Sequence, residues 1–184
     1  MIKAYFFDFT ETLAKMKGEV NTLSNLISTK ELEFILKQDI KKFQSPKKQR
    51  IINKIYSEDI SLYPESTTVI ETLKEEGYRL GIISNVDSIT KEFIKNGYTK
   101  FLKNFDVITW SSEIGVAKPD PDAFKFTLFK LNKDYNLNIK SDEVMMIGNN
   151  VQRDLVPALN LGMRARLLDR NKQSLYDIIG EEVA

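Results

Sequence analysis

The opening stretch MIKAYFFDFTETL, residues 1–13, combines an apolar and aromatic run with an acidic residue directly behind it. Residues 2–9 are nearly continuously apolar, which is typical of a short strand buried on both faces of a sheet. Asp8 stands at the end of that run, where a carboxylate adds nothing to the packing of a core. Two interpretations are open: Asp8 caps a turn, or it belongs to a site.

The composition limits which chemistry the chain can perform. Its 184 residues, 42% hydrophobic and 29% charged, suit one ordinary domain with a small insertion. A net charge of +1 does not favour a nucleic-acid or membrane partner. The motifs described below imply a small-molecule substrate instead. The absence of Cys and His excludes disulfides, thiol nucleophiles and imidazole ligands. Carboxylates, hydroxyls, amides, Lys and a hard cation remain.

The location is expected to be cytoplasmic. The N-terminus follows a strand pattern and not that of a signal peptide. The apolar runs are far shorter than the roughly 20 residues that a membrane-spanning helix needs. The sequence does not indicate an oligomeric state.

The chain alternates between two kinds of hydrophobic period. Short apolar runs separated by helical patterns at spacings too long for hairpins predict an α/β fold with a parallel sheet covered on both faces. The predicted strands are 2–9, 79–85, 105–110, 143–148 and 163–168, and the predicted helices are 64–76, 88–97, 121–135, 151–161 and 172–180.

Residues 15–62 differ from the rest of the chain. They are rich in Lys, and helical spacing of apolar residues predicts helices at 21–40 and around 47–60, with no strand. We interpret 15–62 as a small helical insertion. The core then consists of residues 1–14 and 63–184.

Polar groups stand where the predicted strands end. The first strand ends at Asp8, the second at Ser84 and Asn85, and the fourth at Gly148-Asn149-Asn150 with Asp154 one turn later. Lys118 lies in the loop VAKPDP after the third strand. The carboxyl ends of parallel strands meet at one edge of a sheet, where ligands bind. These groups are therefore expected to share a pocket.

Together the four stretches resemble the four motifs of the haloacid dehalogenase (HAD) superfamily of hydrolases. DFTET at 8–12 is similar to the first motif, GIISN at 81–85 to the second, Lys118 in VAKPDP to the third and GNNVQRD at 148–154 to the fourth. Four matches in the right order are far more specific than any one of them. The resemblance implies a Rossmann-like, three-layer core with a small helical cap, here 15–62, inserted after the first motif.

The resemblance also implies a role for each residue. Asp8 would be the nucleophile, Ser84 would donate a hydrogen bond to the anionic oxygens of the substrate, Lys118 would hold Asp8 and offset developing charge, and Asp154 would bind or orient Mg²⁺. The predicted residues are, for catalysis, Asp8, Thr10 and Lys118; for substrate binding, Ser84, Asn85 and Lys118; and for metal binding, Asp8, Thr10, Asn149 and Asp154.

The chain departs from the family pattern at two positions. The general acid/base Asp of the family's phosphatases is replaced by Thr10, and a hydroxyl cannot supply the roughly 10²- to 10⁴-fold that acid–base help is worth. The main metal-binding Asp is replaced by Asn149, whose amide oxygen can still coordinate Mg²⁺ but without charge. A weakened Mg²⁺ site is therefore expected.

Three functions remain open at this point. The motif spacing favours a Mg²⁺-assisted phosphatase that acts slowly on a small phosphomonoester through a phospho-aspartate on Asp8. Thr10 and Asn149 favour a metal-independent hydrolase similar to the 2-haloacid dehalogenases. The third possibility is a non-catalytic binding module with the same fold. The residues that would select the substrate, among them Lys15, Lys17, Arg50 and Tyr56, form no recognisable pattern.

Overall fold

Seven strands form two sheets in the computed structural model, which describes residues 1–16 and 60–183. In chain order the strands are β1 (Ala4–Phe7), β2 (Ala14–Met16), β3 (Ile60–Leu62), β4 (Arg79–Ser84), β5 (Val107–Trp110), β6 (Val144–Gly148) and β7 (Arg164–Leu167). The larger sheet has the order β5-β4-β1-β6-β7, and its strand pairs are all parallel. This confirms the predicted α/β class with a parallel sheet.

The first strand lies at the centre of that sheet. Phe7 of β1 is in register with Ile82 of β4 on one side and with Ile147 of β6 on the other. The chain order runs outward in both directions from β1, so the gap beside its carboxyl end is the switch point where open α/β sheets bind ligands. Asp8 is the next residue after that end.

The core lies on both faces of the sheet, as the unbroken apolar run of β1 predicts. Tyr5 and Phe7 pack into one buried cluster, and Ala4 and Phe6 pack into the other. Burying both faces of β1 fixes the position of its end because neither face can slip without exposing apolar area.

Helices cover the two faces. They are α1 (Ser66–Glu75), α2 (Ser88–Gly97), α3 (Thr99–Leu102), α4 (Ser111–Ile114), α5 (Pro121–Tyr135), α6 (Val156–Asn160) and α7 (Leu175–Val183). A 3₁₀ turn at Ser141–Glu143 and a π-helical turn at Val151–Leu155 complete the described elements. None of the described helices is both long enough and apolar enough to cross a membrane.

The single helix predicted at 151–161 is wrong in its first half. Residues 151–155 form a π turn, and only Val156–Asn160 is α-helical. Pro157 explains the difference, because it has no N–H for the α-helical bond to Arg153 and its ring would clash with that carbonyl. The wider turn relieves this conflict.

The prediction that 15–62 contains no strand is wrong at both ends of that segment. β2 and β3 pair antiparallel, with Ala14 opposite Leu62 and Met16 opposite Ile60, and form a two-stranded ribbon. The helix predicted at 21–40 lies outside the described residues, as does the one predicted around 47–60 except for Ile60, which belongs to β3. The helical cap stays a prediction.

Candidate active site

Asp8 is buried at the carboxyl end of β1. Its side chain is almost withdrawn from solvent, with 8% of the residue exposed. Its backbone N–H donates to the Ile147 carbonyl at 2.9 Å, so the residue continues the pairing with β6 by one position. Asp8 thus lies at the carboxyl end of the central strand, as predicted, and its backbone pairing with β6 sets its orientation.

Lys118 places a positive charge between two carboxylates. Its Nζ lies 2.8 Å from Asp8 Oδ1 and 2.6 Å from Asp154 Oδ1. Only 4% of Lys118 and 1% of Asp154 are exposed. Such burial of a Lys is rare unless the charge is paired. The structure thus brings together three of the groups that were predicted from separate motifs.

Asn85 fixes the backbone of Lys118. Its Nδ2 donates to the Lys118 carbonyl at 2.7 Å, and its Oδ1 accepts from the Lys118 N–H at 2.8 Å. An amide paired with both groups of one peptide holds that residue in a defined place and orientation. Asn85 was predicted to bind substrate. It does lie on the cavity wall, but its amide group is engaged with Lys118.

Asp154 reaches the site because Gly148 has no side chain. A Cβ on Gly148 would lie only 2.5 Å from the Asp154 side chain. The second carboxylate oxygen of Asp154, Oδ2, accepts from the Asn150 N–H at 2.9 Å. Both oxygens of Asp154 therefore accept hydrogen bonds from the protein, which fixes the orientation of this carboxylate.

The surroundings of Asp8 change its acidity. Burial raises the pKa of Asp8 above its ordinary value, and the neighbouring Asp154 charge adds to this effect. The Lys118 ammonium and the Phe9 N–H oppose it. A carboxylate with a raised pKa is more basic and hence a better nucleophile, provided that Lys118 keeps it ionised at neutral pH.

A cavity of about 230 Å³ opens above this group. Of the predicted site residues, those on its wall are Asp8, Thr10, Asn85, Lys118, Asn149 and Asp154. Ser84 is not on the wall. It is 1% exposed, and its Oγ has no hydrogen-bond partner among the described residues. The structure therefore does not place the Ser84 hydroxyl in the cavity, where it was predicted to bind substrate.

The prediction did not include several other wall residues. Glu11 adopts the left-handed conformation with φ +57°, which a Glu rarely does, so the sequence gives no indication of it. Asp87 accepts from the Thr90 N–H at 2.9 Å at the start of α2, and this spacing of Asp and Thr is a recognisable capping pattern. Arg153 also lies on the wall, in the π turn.

The predicted Mg²⁺ site can be compared with the donor groups around the cavity. Oxygen donors from Asp8, Thr10 and Asn149 are of the type that Mg²⁺ takes, together with water and substrate phosphate. Both oxygens of Asp154 already accept bonds, and no group of three acidic, His or Cys side chains suited to a metal occurs in the described parts of the chain. Such a donor set fits a single Mg²⁺ held largely by the substrate.

Comparison with known proteins gives consistent results. A model of the haloacid dehalogenase-like hydrolase family matches residues 5–167. A glyceraldehyde 3-phosphate phosphatase of Methanothermobacter thermautotrophicus is 33% identical over 109 residues, which are 58% of this chain and 44% of that protein. A phosphoserine phosphatase of Thermus thermophilus is 28% identical over 110 residues, 59% of this chain and 41% of that protein.

The fold is shared with a HAD-family enzyme of Bacteroides thetaiotaomicron solved in complex with magnesium and inorganic phosphate. That structure has a TM-score of 0.67 and 16% identity, and the match covers 97% of this chain and 99% of that chain. The two curated relatives are matched over less than half of their own length. The family match spans most of the sequence, from β1 to β7. The chain belongs to the haloacid dehalogenase-like hydrolase family.

Proposed function

We propose that the chain is a phosphatase that acts on small phosphomonoesters through a phospho-aspartate on Asp8. The observation that carries the proposal is the buried Lys118 ammonium, 2.8 Å from Asp8 and 2.6 Å from Asp154, at the wall of a small cavity. An Asp8 oxygen attacks phosphorus while the ester P–O bond breaks, and the leaving oxygen takes its proton from solvent water. Water then attacks the phospho-aspartate, which releases phosphate and restores Asp8.

Lys118 performs two tasks in this scheme. Its charge keeps Asp8 ionised although burial raises the pKa of that carboxyl. It also lies where negative charge gathers on the transferred group, and such fixed charge in a buried site stabilises a transition state more than charge in water does. The paired contacts of Asn85 with its backbone hold Lys118 in that place.

The charge of the cavity supports a role for Mg²⁺. The charged groups on its described wall are the carboxylates of Asp8, Glu11, Asp87 and Asp154 and the cations of Lys118 and Arg153. Four acids against two bases leave an excess of two negative charges, which repels a phosphate dianion. A bound Mg²⁺, held by Asp8, Thr10 and Asn149 and aided by Asp154, would offset this repulsion and polarise the phosphoryl oxygens.

The reaction is expected to be slow. Thr10 stands where a phosphatase of this family has its acid/base, and its hydroxyl neither protonates the leaving alcohol nor activates water near neutral pH. Both the formation and the breakdown of the phospho-aspartate lose that help.

The experiment is a phosphatase assay with an aryl phosphate, with and without Mg²⁺, on the chain, on Asp8→Asn and on the control Asp134→Asn. Asp134 is an exposed residue of α5 paired with Lys130. We expect turnover that falls in excess EDTA, disappears in Asp8→Asn and persists in the control. Turnover that survives in Asp8→Asn rules out the phospho-aspartate, and turnover that survives in EDTA rules out only the role of Mg²⁺.

A second candidate is a metal-independent hydrolase of 2-haloacids. Thr10 and Asn149 favour it, because they replace the acid/base Asp and the main metal-binding Asp of the family's phosphatases. Halide leaves without protonation, so the missing acid would matter less. Release of chloride from short 2-chloroacids, lost in Asp8→Asn, would support this function, and no release across the series would remove it.

A further inference from the structure

A second cavity lies next to the first and shares two lining residues with it. Its volume is about 450 Å³, against about 230 Å³ for the cavity above Asp8. Glu11 and Asn149 line both cavities. The two spaces are therefore neighbours, with these two residues at their common border.

The sizes of the two cavities suggest a division of the substrate between them. Pockets that enclose a small organic molecule usually have about 300–1,000 Å³. The cavity above Asp8 is smaller than this range and suits a phosphoryl group, whereas the second cavity lies within it. The organic part of a phosphomonoester needs room beside the phosphoryl group, and the second cavity offers it.

Glu11, at the border of the two cavities, is held in a fixed place. Glu11 Oε1 accepts from the Met16 N–H at 2.8 Å, and Oε2 accepts from the Tyr63 hydroxyl at 3.0 Å. The left-handed backbone of Glu11 directs the side chain toward these partners on the β2–β3 ribbon and beyond it. Burial and the hydrogen bond to Glu11 raise the pKa of Tyr63 to about 12, so the phenol stays protonated and keeps donating.

The wall of the second cavity is rich in groups that bind hydroxyls. Lys15 supplies an ammonium, Tyr63 a phenol, and Asn149 and Asn171 supply amides that both donate and accept. Arg170 also lies there, but its charge is paired with Glu65. Apolar contact on the described wall comes from aliphatic side chains such as Val151 and from the ring of Tyr63.

The geometry points to the second cavity as the subsite for the alcohol part of the substrate, a small hydroxylated alcohol and not an apolar one. This inference rests on the proposed phosphatase function. A site that pairs with substrate hydroxyls discriminates strongly against an analogue without them, because its own polar groups are then left unpaired.

Three substrates test the subsite. Glycerol phosphate and propyl phosphate have similar size and differ in two hydroxyls, and methyl phosphate has almost no alcohol part. We expect kcat/KM for glycerol phosphate to exceed that for propyl phosphate by about tenfold or more. Equal values for glycerol phosphate and propyl phosphate would overturn the inference.

A blocking variant provides the second arm of the test. Val151 lines the second cavity but not the first and is 45% exposed, so Val151→Trp adds bulk there. We expect the ratio of kcat/KM for glycerol phosphate to that for methyl phosphate to fall about tenfold. Leu159→Trp is the matched control, since Leu159 is 55% exposed on α6 and lines neither cavity.

The outcomes separate the subsite from the activity. Methyl phosphate turnover with an unchanged ratio in Val151→Trp overturns the subsite and leaves the phosphatase standing. If neither the three esters nor the aryl phosphate are turned over, the proposed function is overturned, and the subsite with it. If Val151→Trp does not fold by circular dichroism, Leu167→Trp, at another exposed position of the same wall, takes its place under the same criteria.

Discussion

The single charge of Lys118 is shared by two buried carboxylates, so its loss should be costly. Lys118→Met keeps most of the stem volume but leaves Asp8 and Asp154 facing each other without a cation. Removing one partner of a buried pair typically costs about 3–5 kcal/mol. We expect a loss of this size in the free energy of unfolding, measured by urea denaturation, with no turnover. Lys118→Met in an Asp154→Asn background should lose less, and equal losses in the two backgrounds would contradict the shared pairing.

Asp8 has the opposite effect on stability. Burial raises the pKa of Asp8, so the folded protein binds this proton more tightly than the unfolded chain does. The stability that the proton contributes at acidic pH is lost as pH rises through the folded-state pKa. We therefore expect Asp8→Asn to raise the free energy of unfolding near pH 7 by about 0.5–2 kcal/mol, which is typical of a substitution that trades function for stability. The gain should shrink toward acidic pH. Melting temperatures of both proteins across pH check this, and a less stable Asp8→Asn at pH 7 would show that pairing with Lys118 outweighs burial.

Thr10 is where activity can be gained. Thr10→Asp restores an ionisable group beside the nucleophile, and acid–base help of this kind is worth about 10²- to 10⁴-fold. We expect kcat for an aryl phosphate to rise by a factor of about 10² to 10⁴ in the Thr10→Asp, Asn149→Asp double variant, and by less in Thr10→Asp alone. Asn has nearly the same shape as Asp but cannot transfer a proton, so Thr10→Asn should show no gain in kcat. A gain in Thr10→Asn equal to that in Thr10→Asp would mean that shape, not proton transfer, limits the reaction.

At this scale the sequence predicts charges better than it predicts contacts. Asp8, Lys118 and Asp154 could be found because each follows a strand of a parallel sheet and because the four motifs occur in order. The role of Asn85 could not, since its two bonds to Lys118 join positions 33 residues apart through one amide. The left-handed backbone of Glu11 was equally hidden, because a Glu offers no sign of that conformation in its sequence.

At the end of the sheet away from the site, Asp106 connects α1, β4 and β5. Asp106 lies before β5 and accepts from Lys74 at 2.7 Å, from Arg79 at 3.0 Å and from the Leu80 N–H at 2.9 Å. Burial alone would raise the pKa of Asp106, but these three donors outweigh it and hold the pKa below its ordinary value. The carboxylate therefore binds the end of α1, the start of β4 and the approach to β5 together.

Asp106→Asn tests this junction. A group with a depressed pKa stabilises the fold above its unfolded-state pKa, and that stability is lost as pH falls through the folded value. Since Lys74 and Arg79 are partly exposed, we expect a modest loss of about 1–3 kcal/mol in the free energy of unfolding at pH 7. The deficit should shrink below the ordinary Asp pKa of about 3.9. Urea denaturation at several pH values measures it, and a deficit that is constant with pH would assign the loss to packing.

Elements with a long, clear hydrophobic period were predictable, and short ones were not. The helix at Pro121–Tyr135 has the bounds that its sequence indicates. The Asp120 carboxylate caps its start by accepting from the Asp122 N–H, and Pro121 fits the first helical position. The strands β2 and β3 have three residues each, too few for a period, and their pairing joins segments far apart in the chain. The π turn arises from a backbone conflict at Pro157 that hydrophobic patterning does not register.

Across the whole molecule, Arg170 joins three distant parts of the chain. Its Nε donates to the Thr12 carbonyl at 3.1 Å, its guanidinium pairs with Glu65, and it lies 3.8 Å over the ring of Tyr63. Thr12 follows the nucleophile on the same loop, and Tyr63 follows β3. Arg170 thus ties the C-terminal part of the fold to the loop that carries Asp8 and to the point where the chain re-enters the core.

Replacing this guanidinium should therefore affect both stability and the site. Arg170→Ala leaves the half-buried Glu65 without its cation and the Thr12 carbonyl without its donor, and we expect a loss of about 3–5 kcal/mol in the free energy of unfolding. Arg170→Lys keeps the charge but cannot make the planar, forked contact, so it should recover only part of the loss. Hydrogen exchange at the Leu13 and Ala14 amides, which both bond to the Phe9 carbonyl, reports on the Asp8 loop directly. If these amides exchange as slowly in Arg170→Ala as in the unmodified chain, after correction for global stability, Arg170 holds the fold together without acting on the nucleophile loop.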